Sequence, residues 1–209
     1  MREMDYRIRG WPLSTVAGFA VILLYCTFTG ISWLLYPYEF GPLTHYLSRL
    51  GDLDYSPVGA FFYNAGCILT GIALLLFFLG LYQWHAPSPA QRAILVLGQV
   101  IGFAAAFALM MIGVFSEDQG PPHMLASSVF FLLNFIVLLL INLALLIHPS
   151  FGKPIPILGI LLDLSTLWMG FSVGGPITEW YTVFGSLFYV ALVSIRSMRG
   201  STPSRGTTE

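Results

Sequence analysis

Charge is what this sequence has least of. Asp, Glu, Lys and Arg make up 9% of its 209 residues, where a soluble domain carries about 25%. With 56% hydrophobic residues and a mean hydropathy of +0.79, the chain would expose large apolar patches in water. A bilayer is therefore the expected solvent. The net charge of −1 comes with no basic stripe, which excludes nucleic acid as a partner. Cysteine is almost absent. Cys26 and Cys67 both lie inside apolar runs, form neither a metal spacing nor a disulfide framework, and read as small packing residues. The chain has no HExxH and no paired histidines, so neither metal nor cofactor is expected. No internal repeat is visible, so an inverted-repeat transporter is not supported. The length fits one domain.

Long apolar runs, by contrast, fill the chain. A spanning helix needs about 20 mostly apolar residues. Segments near 12–36, 58–83, 92–115, 123–147, 155–173 and 178–196 meet that. The first is too long for the core of a cleaved signal and is expected to stay as a span. Between the runs stand Pro37, Pro57, Pro87, Pro89, Pro121, Pro122, Pro149, Pro154, Pro156 and the Gly174–Gly175–Pro176 break, each of which stops a helix for backbone reasons. The expected fold is all-α, an integral membrane bundle of six transmembrane helices. Residues 1–11 form a cytoplasmic tail, 12–196 the bundle, and 197–209 a disordered cytoplasmic tail.

Basic residues set the expected orientation. Arg2, Arg7, Arg9, Arg92, Lys153, Arg196, Arg199 and Arg205 fall on one side and Arg49 alone on the other. The first side is expected to be cytoplasmic, in a cell membrane. Glu39, Asp52, Asp54, Glu117, Asp118 and Glu179 then lie outside. Trp11, Tyr82 and Trp84 mark the inner interface. Trp33, Tyr36, Tyr38, Trp180 and Tyr181 mark the outer one.

The richest polar stretch is the first outer loop, 37–57, with Glu39, His45, Ser48, Arg49, Asp52 and Asp54. The spacing of Leu43, Tyr46, Leu47 and Leu50 suggests a short amphipathic helix lying on the outer surface. On it, Ser48, Arg49 and Asp52 would share part of one face. A second outer element, 113–123, carries Ser116, Glu117 and Asp118. His123 stands at the mouth of the fourth helix, with Ser127 four residues on along the same face and Ser128 beside it. Asn64 on the second helix lies at a similar depth. Ser48, Arg49, Asp52, Asn64, Glu117, Asp118, His123 and Ser127 are the candidate outer polar pocket. The bland alternative is that these groups cap and solvate loops.

In the third helix, Gly98 and Gly102 form a GxxxG step of the kind that lets helices approach closely. Asp163 is the sharpest single residue. It falls near the middle of the fifth span, where a carboxylate costs about 2.5–3.5 kcal/mol on insertion scales. With no Lys, Arg or His at matching depth, it is expected to face the bundle and either to be protonated or to bond Asn134 of the fourth helix. A proton or cation step and a plain interhelical hydrogen bond are the two roles open to it.

Three elements carry a family resemblance: Ser48-x-x-Gly51; the helix start from Pro57 to Gly71, with Asn64 and Gly66; and Gly113-x-Phe115-Ser116-x-Asp118, followed by His123. They resemble a prokaryotic family of six-pass membrane proteins catalogued only as a domain of unknown function, number nine-nine-eight. A more distant similarity is to the eukaryotic FRAG/DRAM/Sfk membrane proteins, associated with lipid handling and autophagy. The resemblance implies a fold and a polar outer pocket, and it supplies no catalytic residues. Alkaline-ceramidase-like hydrolases place serine, aspartate and histidine around zinc and need paired histidines on a late helix. The fifth and sixth helices here have no histidine, which argues against membership.

The leading expectation is a membrane protein without enzymatic activity that binds lipid or a partner through the outer pocket. Its partners would be membrane lipids, a second copy of the chain or another membrane protein. Two alternatives stay open. One is an outer-face membrane hydrolase using His123 with Asp52, Asp118 or Ser48. The other is a small proton-coupled transporter centred on Asp163.

Overall fold

Proline at the first helical position has no N–H to waste and a φ already suited to the helix. In the computed structural model, which describes residues 6–200, four of the long helices begin this way. The helices are α1 Leu13–Leu34, α2 Pro57–Gly80, α3 Pro89–Val114, α4 Pro121–Ile147, α5 Pro154–Ser172 and α6 Gly175–Gly200. All six are long and apolar enough to cross a membrane. The starts of α3, α4 and α6 precede the expected starts at 92, 123 and 178 by up to three residues, because Pro89, Pro121 and Pro176 open helices instead of standing before them. A two-stranded ribbon, Arg7–Ile8 against Trp11–Pro12, leads into α1, and α6 runs past the expected boundary at 196. Of the disordered tail expected over 197–209, residues 197–200 are instead the last turn of α6, and 201–209, like the first five residues, lie outside the described residues.

Each helix packs on its neighbours in sequence, and α6 returns to α1. The bundle is thus a ring with alternating helix directions. At one end the start of α1 meets the ends of α2 and α6. Gln83 donates to Ser14, and Trp84 Nε1 donates to Ser197 Oγ at 3.0 Å. We call this the terminal end. At the far end Trp33 meets Trp180 edge-on, with ring centroids 5.2 Å apart.

The terminal end is closed by satisfied polar groups. Gln91 is fully buried, and its amide bonds Trp84 O at 2.9 Å, Ala144 O at 3.3 Å and Ala86 N–H at 2.9 Å. Arg196 Nε donates to Phe151 O at 2.7 Å. In mid-bundle the two glycines of α3 face different neighbours. A methyl group at Gly98 would sit 2.8 Å from Ile141 of α4, and one at Gly102 would sit 2.7 Å from the Phe78 ring of α2. The GxxxG step thus wedges α3 between two helices. Cys67 is buried as expected of a packing residue, but Cys26 is exposed on the outer flank of α1.

The surface amphipathic helix expected in the first long loop does not form. Leu47–Gly51 makes one short 3-10 turn. Its Leu47 and Leu50 are fully buried in the mouth of the bundle, while Leu43 and Tyr46 stay exposed. The reason is polar anchoring. Glu179 of α6 accepts the N–H groups of Leu47 and Ser48 at 3.2 and 3.3 Å, and Ser32 of α1 donates to Leu50 O at 3.1 Å. These bonds draw the turn inward from the surface.

Candidate functional site

Half of the expected outer pocket is a clasp between two loops. Arg49 Nη1 lies 3.2 and 3.0 Å from the two carboxylate oxygens of Glu117, and 3.0 Å from Asp52 Oδ2. Its guanidinium stacks 3.9 Å from the centre of the Tyr55 ring. Asp52 is buried, and its other oxygen accepts the N–H groups of Asp54 and Tyr55 at 2.9 and 3.3 Å. Asp118 Oδ1 accepts the Leu53 N–H at 3.1 Å, and Asn64 Nδ2 donates to Gly51 O at 3.1 Å. Arg49, Asp52, Asn64 and Asp118 therefore hold the first long loop to the α3–α4 connection and to α2. Burial pushes the Glu117 carboxyl up to about 7; the Asp52 carboxyl beside it adds to the rise and Arg49 opposes it. For Asp118, burial is outweighed by the bonds from Leu53 N–H and the Ser116 hydroxyl, and its pKa falls below the usual carboxylate range.

The other half opens into a cleft. Ser48, Glu117, His123 and Ser127 border a cavity of about 850 Å³ between α4, α5 and α6. That volume falls within the roughly 300–1,000 Å³ of small-molecule sites. Asp163 and Asn134 border the same cleft. The outer polar pocket and the intramembrane pair, two separate candidates in the sequence, are thus the mouth and the depth of one cavity. Leu132, Leu167 and Phe171 also line it and are exposed on the apolar flank, Phe171 to 86%. The cleft therefore opens sideways, where hydrocarbon would lie, as well as at the far end.

The polar groups along it are unevenly satisfied. His123 is 5% exposed, and its Nδ1 lies 2.7 Å from Phe115 O. A carbonyl only accepts, so Nδ1 carries the proton. The other ring nitrogen, Nε2, has no partner. No hydrogen bond joins Ser48, Asp52 or Asp118 to His123 among the described residues. Asp163 is 2% exposed and faces the bundle, and its Oδ2 has no partner. The expected bond between Asp163 and Asn134 is absent. Asn134 is turned toward α6 and donates to Ser186 Oγ at 3.2 Å.

Glu179 was placed on the outer side from sequence but not in the pocket, and Thr178, Thr182 and Ser186 of α6 were not singled out at all. Glu179 borders the cleft while holding the loop turn. Thr178, Thr182 and Ser186 recur every four residues, a polar stripe on one face of an otherwise apolar helix, and that spacing was the available signal. A second cavity, of about 90 Å³, lies inside the ring and touches Thr70 and Tyr189, whose hydroxyls have no protein partner. It has room for a few waters but not for a ligand the size of a lipid.

Among the described residues no three of His, Cys, Asp and Glu come together as metal ligands. The cleft combines an unpartnered His123 Nε2 at the mouth, an unpartnered Asp163 oxygen at depth, and apolar walls between them. No curated protein and no solved structure matches the chain. A family model does match, over residues 19–197, nearly the whole of the six-helix ring. The chain belongs to the family described as Protein of unknown function (DUF998).

Proposed function

We propose that this six-helix membrane protein binds a lipid-like amphiphile in the cleft between α4, α5 and α6. The observation that carries the reading is the double opening of that cleft. Its mouth at the far end is polar, with Ser48, His123 and Glu179. Its side gap is bordered by Leu132, Leu167 and Phe171. A molecule with a polar group and an apolar body fits such a cavity, and it can enter from the bilayer without crossing water. The eight-to-one division of basic residues supports placing the termini in the cytoplasm. The mouth then faces the outer leaflet of the cell membrane.

The test is retention of a native ligand. Protein purified in a mild detergent is extracted, and its bound amphiphiles are identified by mass spectrometry. Gly170 lines the cleft, and a Cβ added there meets nothing within 4 Å, so the backbone there has room for a side chain and Gly170→Trp is expected to fill the cavity. Wild-type protein is expected to retain an amphiphile that the variant has lost. Equal retention by both overturns the reading.

A proton-coupled carrier centred on Asp163 has one observation in its favour, the connection of Asp163 to the far end through the cleft. From Asp163 toward the terminal end, however, neither the rest of α5 nor the second half of α4 holds an acid, a base or a histidine. The amphiphile reading is therefore preferred.

A further inference from the structure

The depth of the cleft restricts what fills it. A simple lipid entering by its tail would lay hydrocarbon against Asp163 and leave the unpartnered oxygen buried with no donor. Leaving a buried charged or polar group unpaired costs more than the average hydrogen bond gains. An occupant that brings a donor to Asp163 removes that cost.

The charges around the cleft point the same way. No Lys or Arg lines it among the described residues. Arg49 comes close through Glu117, but is already spent on Glu117 and Asp52. No ion pair reaches Asp163 among the described residues. The hydroxyls of Thr178 and Thr182 donate to carbonyls of their own neighbourhood, Gly174 O at 3.0 Å and Thr178 O at 2.7 Å. Among the described residues two buried side-chain atoms along the cleft have no partner, His123 Nε2 and Asp163 Oδ2. An anionic head such as a phosphate or sulfate would find no cation and would face Glu117, Asp163 and Glu179. A protonated amine finds the reverse, with the aromatic residues Phe131 and Phe135 along the same wall.

Building on the amphiphile reading, we infer that the cleft selects a lipophilic amine, with Asp163 as the counter-ion of its ammonium group and the apolar body lying along α4 and α5. This juxtaposition of a buried, unpaired carboxylate with an apolar cleft open to the bilayer gives the site its charge preference.

The experiment uses the full chain in dodecyl maltoside and radiolabelled dodecylamine, with bound label read by scintillation proximity. Gly170→Trp defines the background. Unlabelled dodecylamine, dodecanol and dodecyl sulfate, alike in chain and different in head, are the competitors. Wild-type protein should bind the amine above background, and dodecanol and the sulfate should compete at least about ten-fold less well, the size of one charge-assisted hydrogen bond. Asp163→Asn should lose the amine preference and Asp163→Glu should restore it. If dodecanol competes as well as dodecylamine while Gly170→Trp still abolishes binding, the counter-ion inference is overturned and the amphiphile reading stands. If nothing binds above the Gly170→Trp background, both fall. The competitor series is run on wild-type protein, so it decides the matter even if the Asp163 variants fold poorly.

Discussion

The two flanks of the ring are packed differently. In the most apolar stretch of α2, 50% of the residues are buried, against 17% in that of α5. Around α2 and α3 the backbones nearly touch. A methyl group on Gly113 would lie 2.3 Å from the Asn64 backbone oxygen. Around the far half of α5 there is room, and Gly170 has nothing within 4 Å of where a methyl group would go. Lipid is as apolar as a leucine side chain, so membrane helices gain little by simply hiding hydrophobic surface from one another. Close contact through small residues is what seals them. The α1–α3 flank uses that device. The α5–α6 flank uses it at the terminal end, where a methyl group on Gly159 of α5 would lie 2.2 Å from Asn142 Oδ1 of α4, but toward the far end the structure leaves a cleft with unpaired polar atoms. One flank supplies the scaffold and the other the site.

The largest expected effect comes from spoiling the tight flank. Gly113→Ala forces a methyl group into backbone that cannot give way, and over-packing of this kind costs about 1–3 kcal/mol. Thermal unfolding in detergent should show it as a clear drop in midpoint. Gly170→Ala, made into open space, should leave the midpoint nearly unchanged. Equal losses for the two variants would erase the contrast between the flanks.

A middle-sized effect is expected from the loop clasp. Arg49→Ala leaves Asp52 and Glu117 facing each other without their cation. Exposed ion pairs are worth about 0.2–1 kcal/mol, and this one, joined to a buried Asp52, should sit at the top of that range. Limited proteolysis within 37–56 should quicken. An unchanged cleavage rate would show that the Glu179 and Asn64 anchors hold the loop alone.

The smallest effect is a pH dependence. Glu117 holds its proton up to about 7 in the folded chain and releases it near the ordinary carboxylate value when unfolded. Between those values the folded state binds more protons, so stability rises as pH falls from 7 toward 5. The unfolding midpoint should climb over that window, and Glu117→Gln should flatten the climb. An identical slope in the variant would assign it to another group.

Much of the scaffold was readable from the chain. Six apolar runs between prolines gave six helices. The misplaced starts came from treating proline only as a breaker, when at the first helical position it is a starter. Candidate polar residues were readable because polar atoms are so rare here, and His123, Ser127 and Asp163 do border the cleft. Their partners were not readable. Asn134 and Asp163 lie at matching depth, but depth leaves open which way each side chain turns about its helix, and Asn134 turns to Ser186. The buried Leu47 and Leu50 show the same limit. Their spacing suits a surface helix as well as a turn pulled inward, and the carboxylate that pulls it, Glu179, lies far along the sequence. The merging of mouth and midplane into one cleft depends on how α5 stands off from α4 and α6, a property of packing that no single span records.

The most direct test of the central claim, that the α4–α5–α6 flank takes an amphiphile from the bilayer, is a map of photolabelling in lipid nanodiscs. A lipophilic amine carrying a diazirine on its chain is irradiated with the full-length protein, and the adducts are located by mass spectrometry. The account predicts adducts on cleft-lining residues such as Phe135 and Leu167 that vanish in Gly170→Trp. Adducts confined to outward-facing positions such as Leu23 and Phe61, unchanged by Gly170→Trp, would contradict it.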